Sequence, residues 1–454
     1  MHWDPVNNKP LPESPWFNPD ATHPFNVGFD FNHESQYTKD FIDDVNTFWI
    51  EEFHIDGYRF DLSKGFTQTN NPDDVGAWGQ FDQSRINILN RMADVIWDVD
   101  PDTYVILEHF AEGSEETVLK DAGMMVWGNN NHDYRDVLAG NSTNISFSSA
   151  GELDRVSYME SHDEERIIYE TNNHGAVQGD YDITNLATGL NRSVLGAAFF
   201  FTLPGPKMMW QFQELGYDIA IDFNGRVGEK PLVWGDGSLE YYDDALRQKN
   251  YKAYAAVINL THELEDAFDN GTRSSFLTGR LRRVTIEHAS ADIIIMGNFG
   301  TDDSSISPGF TQTGTWYDYF TGEAYEVTNT NSSIELDPGE FHIMTTVQLD
   351  APEADLLPFR LPEANVPSGI EDELNGLSIF PNPARDQFTV VAEHNGILAP
   401  VAVRDLSGRQ IPIKLENASN DQFSINVQGL QNGIYLLEVR LHDSHRQIKF
   451  VVSN

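Results

Sequence analysis

The spacing of apolar residues changes along this 454-residue chain, and each change limits the folds that the chain can adopt. Up to about residue 252, short apolar runs alternate with segments in which apolar residues recur every three or four positions. This alternation predicts strands separated by helices, which is typical of a parallel α/β architecture. The predicted helices are 37–53, 82–97 and 245–268, and the predicted strands are 55–62, 104–108, 124–127, 156–161 and 207–212.

Beyond about residue 271 the apolar period falls to two, which predicts antiparallel β structure. Prolines among acidic residues then predict a stiff linker, after which the pattern is again that of strands. The predicted strands are 283–287, 293–298, 315–319 and 341–347 before the linker, and 377–380, 388–392, 401–404, 423–427, 434–439 and 447–452 after it.

The predicted fold class is therefore α/β plus all-β. We divide the chain into an α/β domain at 1–252, a last helix with a β-sandwich at 253–350, a linker at 351–374 and a second β-sandwich at 375–454. This length is ample for several buried cores.

Composition excludes several classes of function. The chain has 29 Lys and Arg against 71 Asp and Glu, a net charge of −42, which disfavours nucleic acid as a partner because phosphates need basic groups. It has no apolar run of the length that spans a membrane. Cysteine is absent, so disulfides, thiolate nucleophiles and cysteine-bound metals are excluded.

Three acidic residues follow three predicted strands, namely Asp61, Glu108 and Asp163. In the first of these strands Arg59 and Asp61 share one face, because alternate residues of a strand point the same way. An arginine at that spacing holds a carboxylate ionised and oriented. One strand-end acid is usually a capping or surface residue, but three together are typical of the active site of a (β/α)₈ barrel.

The segments that carry these acids resemble the second, third and fourth signature regions of the α-amylase superfamily. They are 56–64 (Asp-Gly-Tyr-Arg-Phe-Asp-Leu-Ser-Lys), 106–108 (Ile-Leu-Glu) and 161–163 (Ser-His-Asp), and 201–205, with Gln211 and Glu214 after it, resembles the eighth-strand segment of that family. The resemblance covers about residues 1–350.

The resemblance implies a role for each matching residue. Asp61 would be the nucleophile, Glu108 the general acid/base and Asp163 the transition-state stabiliser. The implied substrate-binding residues are Arg59, His162 and Lys64. Retaining glycoside hydrolysis needs one ionised and one protonated carboxyl group, so no cofactor is required. The resemblance allows a structural calcium ion, for which the residues name no ligand set.

The implied activity is that of a retaining α-glycosidase acting on α-1,4-glucans such as starch, glycogen and maltodextrin. Ser161 stands where hydrolysing amylases commonly have Asn, and a Ser-His-Asp triplet also occurs in branching and debranching relatives. The choice between α-1,4 hydrolysis and a branching or debranching activity therefore stays open.

The front of the chain departs from the family pattern. In the family the nucleophile lies on the fourth barrel strand, whereas only one helix and a proline-rich loop precede residue 55 here. We therefore expect an incomplete (β/α)₈ TIM barrel, with about strands 4–8, in a chain whose Met1 is an internal residue of a longer protein. A catalytically inactive, exported α-glucan-binding fragment is the further alternative.

The end of the chain resembles the C-terminal sorting domain of the type IX secretion system. The segments that carry the resemblance are 377–384, 403–409, 430–436 and 449–452. It implies a bacterium of the Bacteroidota type, the type IX secretion machinery as a partner, and a protein that is secreted or attached to the cell surface. The first residues carry no signal-peptide pattern.

Overall fold

The computed structural model describes most of the chain. The described residues are 2–25, 27–235, 237–359, 361, 377–380, 384–392, 398–405, 409–416, 419, 422–431, 433–441 and 444–452. They belong to two compact units, residues 1–364 and 365–454. Much of the predicted linker lies outside the described residues, as do Ser407, Gly408 and Asn432 of the segments that resemble a sorting domain. In the described part, no helix is both long and apolar enough to cross a membrane.

The first unit contains a five-stranded sheet in which every neighbouring pair is parallel. Its strands, in both chain and spatial order, are Gly57–Phe60, Tyr104–Leu107, Met125–Asn129, Arg155–Tyr158 and Lys207–Met208. All five predicted strands are therefore present, although the last is shorter than expected because its chain turns away after Met208. Because the strands are parallel and consecutive, their carboxyl ends lie along one edge of the sheet.

Helices connect these strands and pack against them. Their bounds are Gln36–Phe53, Val75–Trp78, Gln83–Val99, Gly113–Asp121, Asn131–Leu138, Ile167–His174, Leu186–Phe201, Ala245–Glu263 and Glu265–Asn270, with short 3₁₀ turns at Ser63–Phe66, Ser148–Gly151 and Tyr241–Asp243. Asp82 caps the third helix, since its carboxylate accepts from the Ser84 amide at 2.9 Å. Tyr58 and Phe60 pack against an apolar cluster that includes Leu89 and Ile96 of this helix.

The first unit has short antiparallel pairs at Trp3–Asp4 with Lys9–Pro10 and at Val177–Gln178 with Tyr181–Asp182. Six of the eight strands between residues 272 and 345 form a larger antiparallel sheet. Its spatial order is Thr272–Phe276, Leu281–Glu287, Ile293–Asn298, Phe341–Thr345, Gly314–Asp318 and Ala324–Val327, and a separate pair joins Ser304–Ile306 to Ile334–Leu336. One face of the sheet shares a core with the helices Leu186–Phe201 and Ala245–Glu263. The other face shares a core with the two-stranded pair. The central strand Ile293–Asn298 is consequently buried at every residue.

Two predicted boundaries need correction. The helix Ala245–Glu263 crosses the boundary that we expected between residues 252 and 253, and it stops at Leu264, where a second helix begins. Leu356 and Leu357, at the expected start of the linker, are buried in the core of the first unit. The beginning of the expected linker therefore belongs to the first unit, because its apolar residues are part of that core.

The second unit consists of two four-stranded antiparallel sheets. The first has the order Leu377–Phe380, Gln387–Ala392, Gln422–Asn426 and Lys414–Glu416, and the second has the order Gln410–Ile411, Leu398–Asp405, Gly433–Leu441 and Ser444–Val452. One apolar cluster contains inward residues of both sheets, among them Phe388, Ile425, Leu437 and Phe450. The predicted all-β character of this unit is confirmed.

A buried histidine lies between two acids in the six-stranded sheet. His342 is within 2.7 Å of Asp318 through Nδ1 and within 2.7 Å of Glu340 through Nε2, and the three side chains are almost completely buried. Burial alone would lower the pKa of His342, but the hydrogen bonds to Asp318 and Glu340 raise it from 6.5 to about 9. The imidazolium therefore persists to alkaline pH and neutralises a buried acidic pair.

The free energy of unfolding that His342 contributes to the first unit, measured as the wild type minus His342→Gln, should fall between about pH 6.5 and pH 9. A histidine with a raised folded-state pKa contributes fully below its unfolded pKa, and the contribution is lost as pH rises through the folded value, here on the order of 3 kcal/mol. Urea unfolding followed by tryptophan fluorescence measures this unit alone, because all 9 tryptophans precede residue 365. The His342→Gln variant lacks this contribution, so the difference between the two proteins should shrink as pH rises through this range. Lys207, whose pKa burial lowers to about 7, makes stability rise with pH over part of the same range, but it is common to both proteins and cancels in the difference. Equal pH dependence in the two proteins would contradict the assignment.

Candidate active site

The three predicted acids lie at the carboxyl ends of strands in the parallel sheet. Asp61 directly follows the strand Gly57–Phe60, and Glu108 directly follows the neighbouring strand Tyr104–Leu107. Asp163 comes a few residues after the fourth strand, Arg155–Tyr158. The chain topology therefore brings all three acids to the same edge of the sheet.

Arg59 joins the first two acids. Its guanidinium lies 2.6 Å from Asp61 Oδ1 and 3.0 Å from Glu108 Oε1. The same guanidinium lies over the ring of Trp127 at 5.1 Å from the ring centre. The Asp61 side chain is 77% exposed, whereas that of Glu108 is 13% exposed, so one cation holds an open and a buried carboxyl group side by side.

The surroundings of Glu108 favour its protonated form. Burial raises the pKa of Glu108, and the nearby Asp61 carboxylate raises it further, against the lowering effects of the Leu62 amide and Arg59. The Leu62 N–H donates to Glu108 Oε2 at 2.7 Å. To direct this N–H, Leu62 adopts a left-handed backbone with φ of 43°, which is rare for a residue with a side chain. The two carboxyl groups thus differ in exposure, and burial raises the pKa of Glu108.

The third acid lies in a second group of residues. Asp163 Oδ2 lies 3.3 Å from His162 Nε2, and both side chains are about half exposed. Arg226 donates to the Asp163 carbonyl and lies 3.9 Å from its Oδ1. The Asp163 amide donates to Ser161 Oγ at 3.1 Å.

Tyr158 lies between the two groups. Burial raises its pKa, and the negative charges of Glu164, Glu108 and Asp163 raise it further. The Tyr158 ring also packs at 5.0 Å from the ring of Trp127, which lies under Arg59. Glu108 and Asp163 therefore both lie close enough to Tyr158 for their charges to act on its hydroxyl.

A cavity of about 360 Å³ adjoins Asp163 and His162. Its lining includes the aromatic residues Trp210, Phe212, Tyr217 and Trp234 and the basic residues Arg166, Arg226 and Lys230. We did not predict these residues from the sequence. Trp210 lies in the predicted strand 207–212 but beyond the observed end of that strand at Met208, and Trp234 lies in an irregular segment without periodicity.

Lys64 does not join the predicted site residues. Its ammonium donates to the Phe110 carbonyl at 2.9 Å and lies 4.1 Å from the ring centre of Trp78. Lys64 is 9% exposed and Trp78 is 2% exposed, so this lysine holds a loop in place. Of the six predicted residues, the structure therefore brings together Asp61, Glu108 and Arg59, with Asp163 and His162 nearby.

The expectation of a structural calcium ion finds no acidic cluster to support it. Among the described residues, no group of three or more His, Cys, Asp or Glu side chains is arranged to hold a metal ion. Calcium is normally bound by several oxygen ligands, commonly including carboxylates. The expectation of a calcium ion therefore stays a prediction without a named ligand set, and no step below depends on a metal.

Solved structures of glycoside hydrolases share this fold. An Anoxybacillus α-amylase matches with a TM-score of 0.53 at 15% identity, covering 75% of this chain and 72% of its own. The acarbose-bound α-amylase of Geobacillus thermoleovorans matches with a TM-score of 0.50 at 14% identity, covering 73% and 71%. A Bacillus acidopullulyticus pullulanase matches with a TM-score of 0.51 at 15% identity, covering 73% of this chain and 43% of the pullulanase.

Residues 378–453 match the family model of the secretion system C-terminal sorting domain. No curated protein sequence matches the chain. The similarity to solved structures concerns the fold alone, because the identities are low. The chain therefore combines an α-amylase-type fold with a C-terminal sorting domain of a secretion system.

Proposed function

We propose that this chain is a glycoside hydrolase that cleaves α-glucans with retention of configuration at the anomeric carbon. The observation that carries the proposal is the pairing of Asp61 and Glu108 by one guanidinium, at 2.6 and 3.0 Å. Retaining glycosidases need two carboxyl groups about 5 Å apart, one ionised and one protonated. The exposed Asp61 and the buried, pKa-raised Glu108 supply that asymmetry.

In the first step Asp61 attacks the anomeric carbon and forms a glycosyl ester, while Glu108 donates its proton to the departing glycosidic oxygen. In the second step Glu108 takes a proton from water, and the resulting hydroxide displaces Asp61 from the sugar. Arg59 orients both carboxyl groups. Asp163 and His162 bind sugar hydroxyls, and the Asp163 charge favours the oxocarbenium-like transition state.

The proposed substrates are α-1,4-glucans such as starch, glycogen and maltodextrin. The proposal draws on the likeness to two α-amylase structures, one of them bound to acarbose. A debranching or branching activity is the second candidate, since a pullulanase structure is equally similar and Ser161 occupies the position that is commonly Asn in amylases. An inactive protein that only binds α-glucan is the third.

The sorting domain extends the proposal to location. Its match supports export and a secreted or surface-attached protein. We propose that the exporting machinery is the type IX system of a Bacteroidota bacterium and that the enzyme meets its polysaccharide outside the outer membrane.

The Asp61→Asn and Glu108→Gln variants should each lower kcat on maltodextrin by at least about 10³-fold, because each removes one of the two reacting carboxyl groups. Reducing-sugar release measures the rate, and proton NMR of the first product should show the α anomer. Asp56→Asn is the matched control, since it removes an exposed acid at the start of the same strand. Full maltodextrin cleavage by Asp61→Asn would contradict the assigned roles.

The basic limb of the pH profile of kcat/KM should lie above the ordinary pKa of glutamic acid, 4.5, because burial and Asp61 raise the pKa of Glu108. Activity is lost when pH passes this pKa, since the deprotonated group cannot protonate the leaving oxygen. In Arg59→Gln the limb should move to higher pH, because a cation that lowers the Glu108 pKa is gone. Arg91→Gln, which removes a cation paired with Asp43, should leave the limb in place. A shift to lower pH in Arg59→Gln would contradict this electrostatic account.

Parallel incubations with linear maltodextrin and pullulan separate the three candidates. An α-1,4 hydrolase should shorten maltodextrin, a debranching enzyme should cleave the α-1,6 bonds of pullulan, and a branching enzyme should create new α-1,6 bonds in maltodextrin. NMR of the anomeric protons distinguishes these products. Starch binding without any product would contradict the hydrolase proposal and favour the glucan-binding protein.

A further inference from the structure

A chain of buried polar side chains runs beside Glu108. Ser63 Oγ lies 2.9 Å from His109 Nδ1, and His109 Nε2 lies 2.7 Å from Glu115 Oε1. Arg85 then binds Glu115 through Nε at 2.5 Å and through a terminal nitrogen at 2.7 Å. All four residues are at most 1% exposed. Such a chain is stable in the interior only when every member has a partner.

This series of hydrogen-bonded side chains ends at the backbone carbonyl of Glu108. The Ser63 N–H donates to the Glu108 carbonyl at 2.9 Å, and Ser63 Oγ lies 3.0 Å from the same oxygen. Ser63 directly follows Leu62, whose N–H binds the Glu108 carboxyl group. His109 directly follows Glu108. The position of Ser63 therefore sets both the backbone of Glu108 and the amide that orients its carboxyl group.

The available protons determine which atom donates in each of these hydrogen bonds. Burial acts to raise the pKa of Glu115, but hydrogen bonds from His109 and Arg85 lower it, so Glu115 accepts. Burial lowers the pKa of His109, and a neutral ring that donates through Nε2 must accept through Nδ1. The Ser63 hydroxyl then has to donate to His109, which leaves the Glu108 carbonyl to the Ser63 N–H.

We propose that Ser63 and His109 are positioning residues for Glu108, with neutral His109 fixing the Ser63 hydroxyl and thereby the turn that carries the Leu62 amide. This deepens the proposed function and rests on it. The charged groups that face His109 are Glu115 on one helix, Arg85 on another and Lys64 in the adjoining loop. Protonation of His109 would place a cation among two others and reverse the Ser63 hydrogen bond.

Two substitutions of His109 test the roles of its two ring nitrogens separately. In His109→Asn the shorter amide can replace Nδ1 and accept from Ser63, whereas in His109→Gln the longer amide can replace Nε2 and donate to Glu115. We expect His109→Asn to keep kcat within about threefold and His109→Gln and Ser63→Ala to lose about 10- to 100-fold, with KM little changed. The thermal midpoint should rank in the opposite order, because His109→Asn deprives Glu115 of a donor.

His54→Asn is the matched control, since it makes the same change at an exposed helix end with a left-handed backbone that Asn tolerates. A purely structural histidine would make activity follow stability. If His109→Gln kept more activity than His109→Asn, the positioning role would be overturned.

Nitrogen-15 NMR of the imidazole rings tests the hydrogen-bond chain without any assay of activity. At pH 7 the His109 signal, assigned by its loss in His109→Gln, should show a protonated Nε2 and an unprotonated Nδ1. A protonated Nδ1 would overturn the inference. A wild-type chain that shows the expected tautomer yet cleaves no glucan would overturn the proposed function instead, so the two failures are distinguishable.

Discussion

The buried ion pair of Arg85 and Glu115 is the constraint on which the candidate site depends. Two charges without solvent contact are costly unless each remaining donor and acceptor has a partner. Here Arg85 also donates to the carbonyls of Lys64 and Trp78 at 3.1 Å and of Gln80 at 3.0 Å, so its terminal nitrogens have carbonyl acceptors as well. Removal of either partner would leave a buried charge, and the loops at 64–80 and 109–115 would lose their common anchor.

The ion pair of Arg85 and Glu115 explains how loop residues can be held in fixed positions. Asp61 and Glu108 leave the sheet at its carboxyl edge, where strand pairing no longer fixes the backbone. The loops that follow are instead fixed by hydrogen bonds to buried polar groups, and Lys64 adds a further hydrogen bond to the Phe110 carbonyl. Arg59 then needs only to set the two carboxyl groups relative to each other. The positions of the site residues therefore depend on the buried hydrogen bonds and the buried ion pair in the adjoining loops.

The sequence predicted the parts of this arrangement that depend on local periodicity. Alternation along 56–62 correctly separates Tyr58 and Phe60, which pack with a helix, from Arg59, which reaches the acids. The helix Leu186–Phe201 escaped prediction because it is apolar on nearly every face, so it has no contrast between two sides. It binds the six-stranded sheet partly through the buried Arg192, which donates to the Phe299 carbonyl at 2.9 Å.

The differences between the predicted site and the observed placement of its residues have another cause. Lys64 matched a family position, but its side chain turns into the interior because Trp78 and the Phe110 carbonyl offer it partners there. Those partners come from distant segments, and spacing within one motif carries no information about them. His109 and Glu115 were missed for the same reason, since an isolated histidine after a strand is indistinguishable from a surface residue until Ser63 and Arg85 are placed beside it.

The backbone conformation of Leu62 is energetically unfavourable, and hydrogen bonds around it keep it in place. A left-handed backbone at a residue with a branched side chain is unfavourable by roughly 1 kcal/mol or more. It persists because the Leu62 N–H has a carboxyl acceptor in Glu108 and because the next residue, Ser63, is held by its N–H on the Glu108 carbonyl and by its hydroxyl on His109. A relaxed turn would point this N–H elsewhere and leave a largely buried carboxyl group short of a donor. The local strain and the orientation of the proposed acid are therefore one feature, and the buried charges beneath the turn are what hold it.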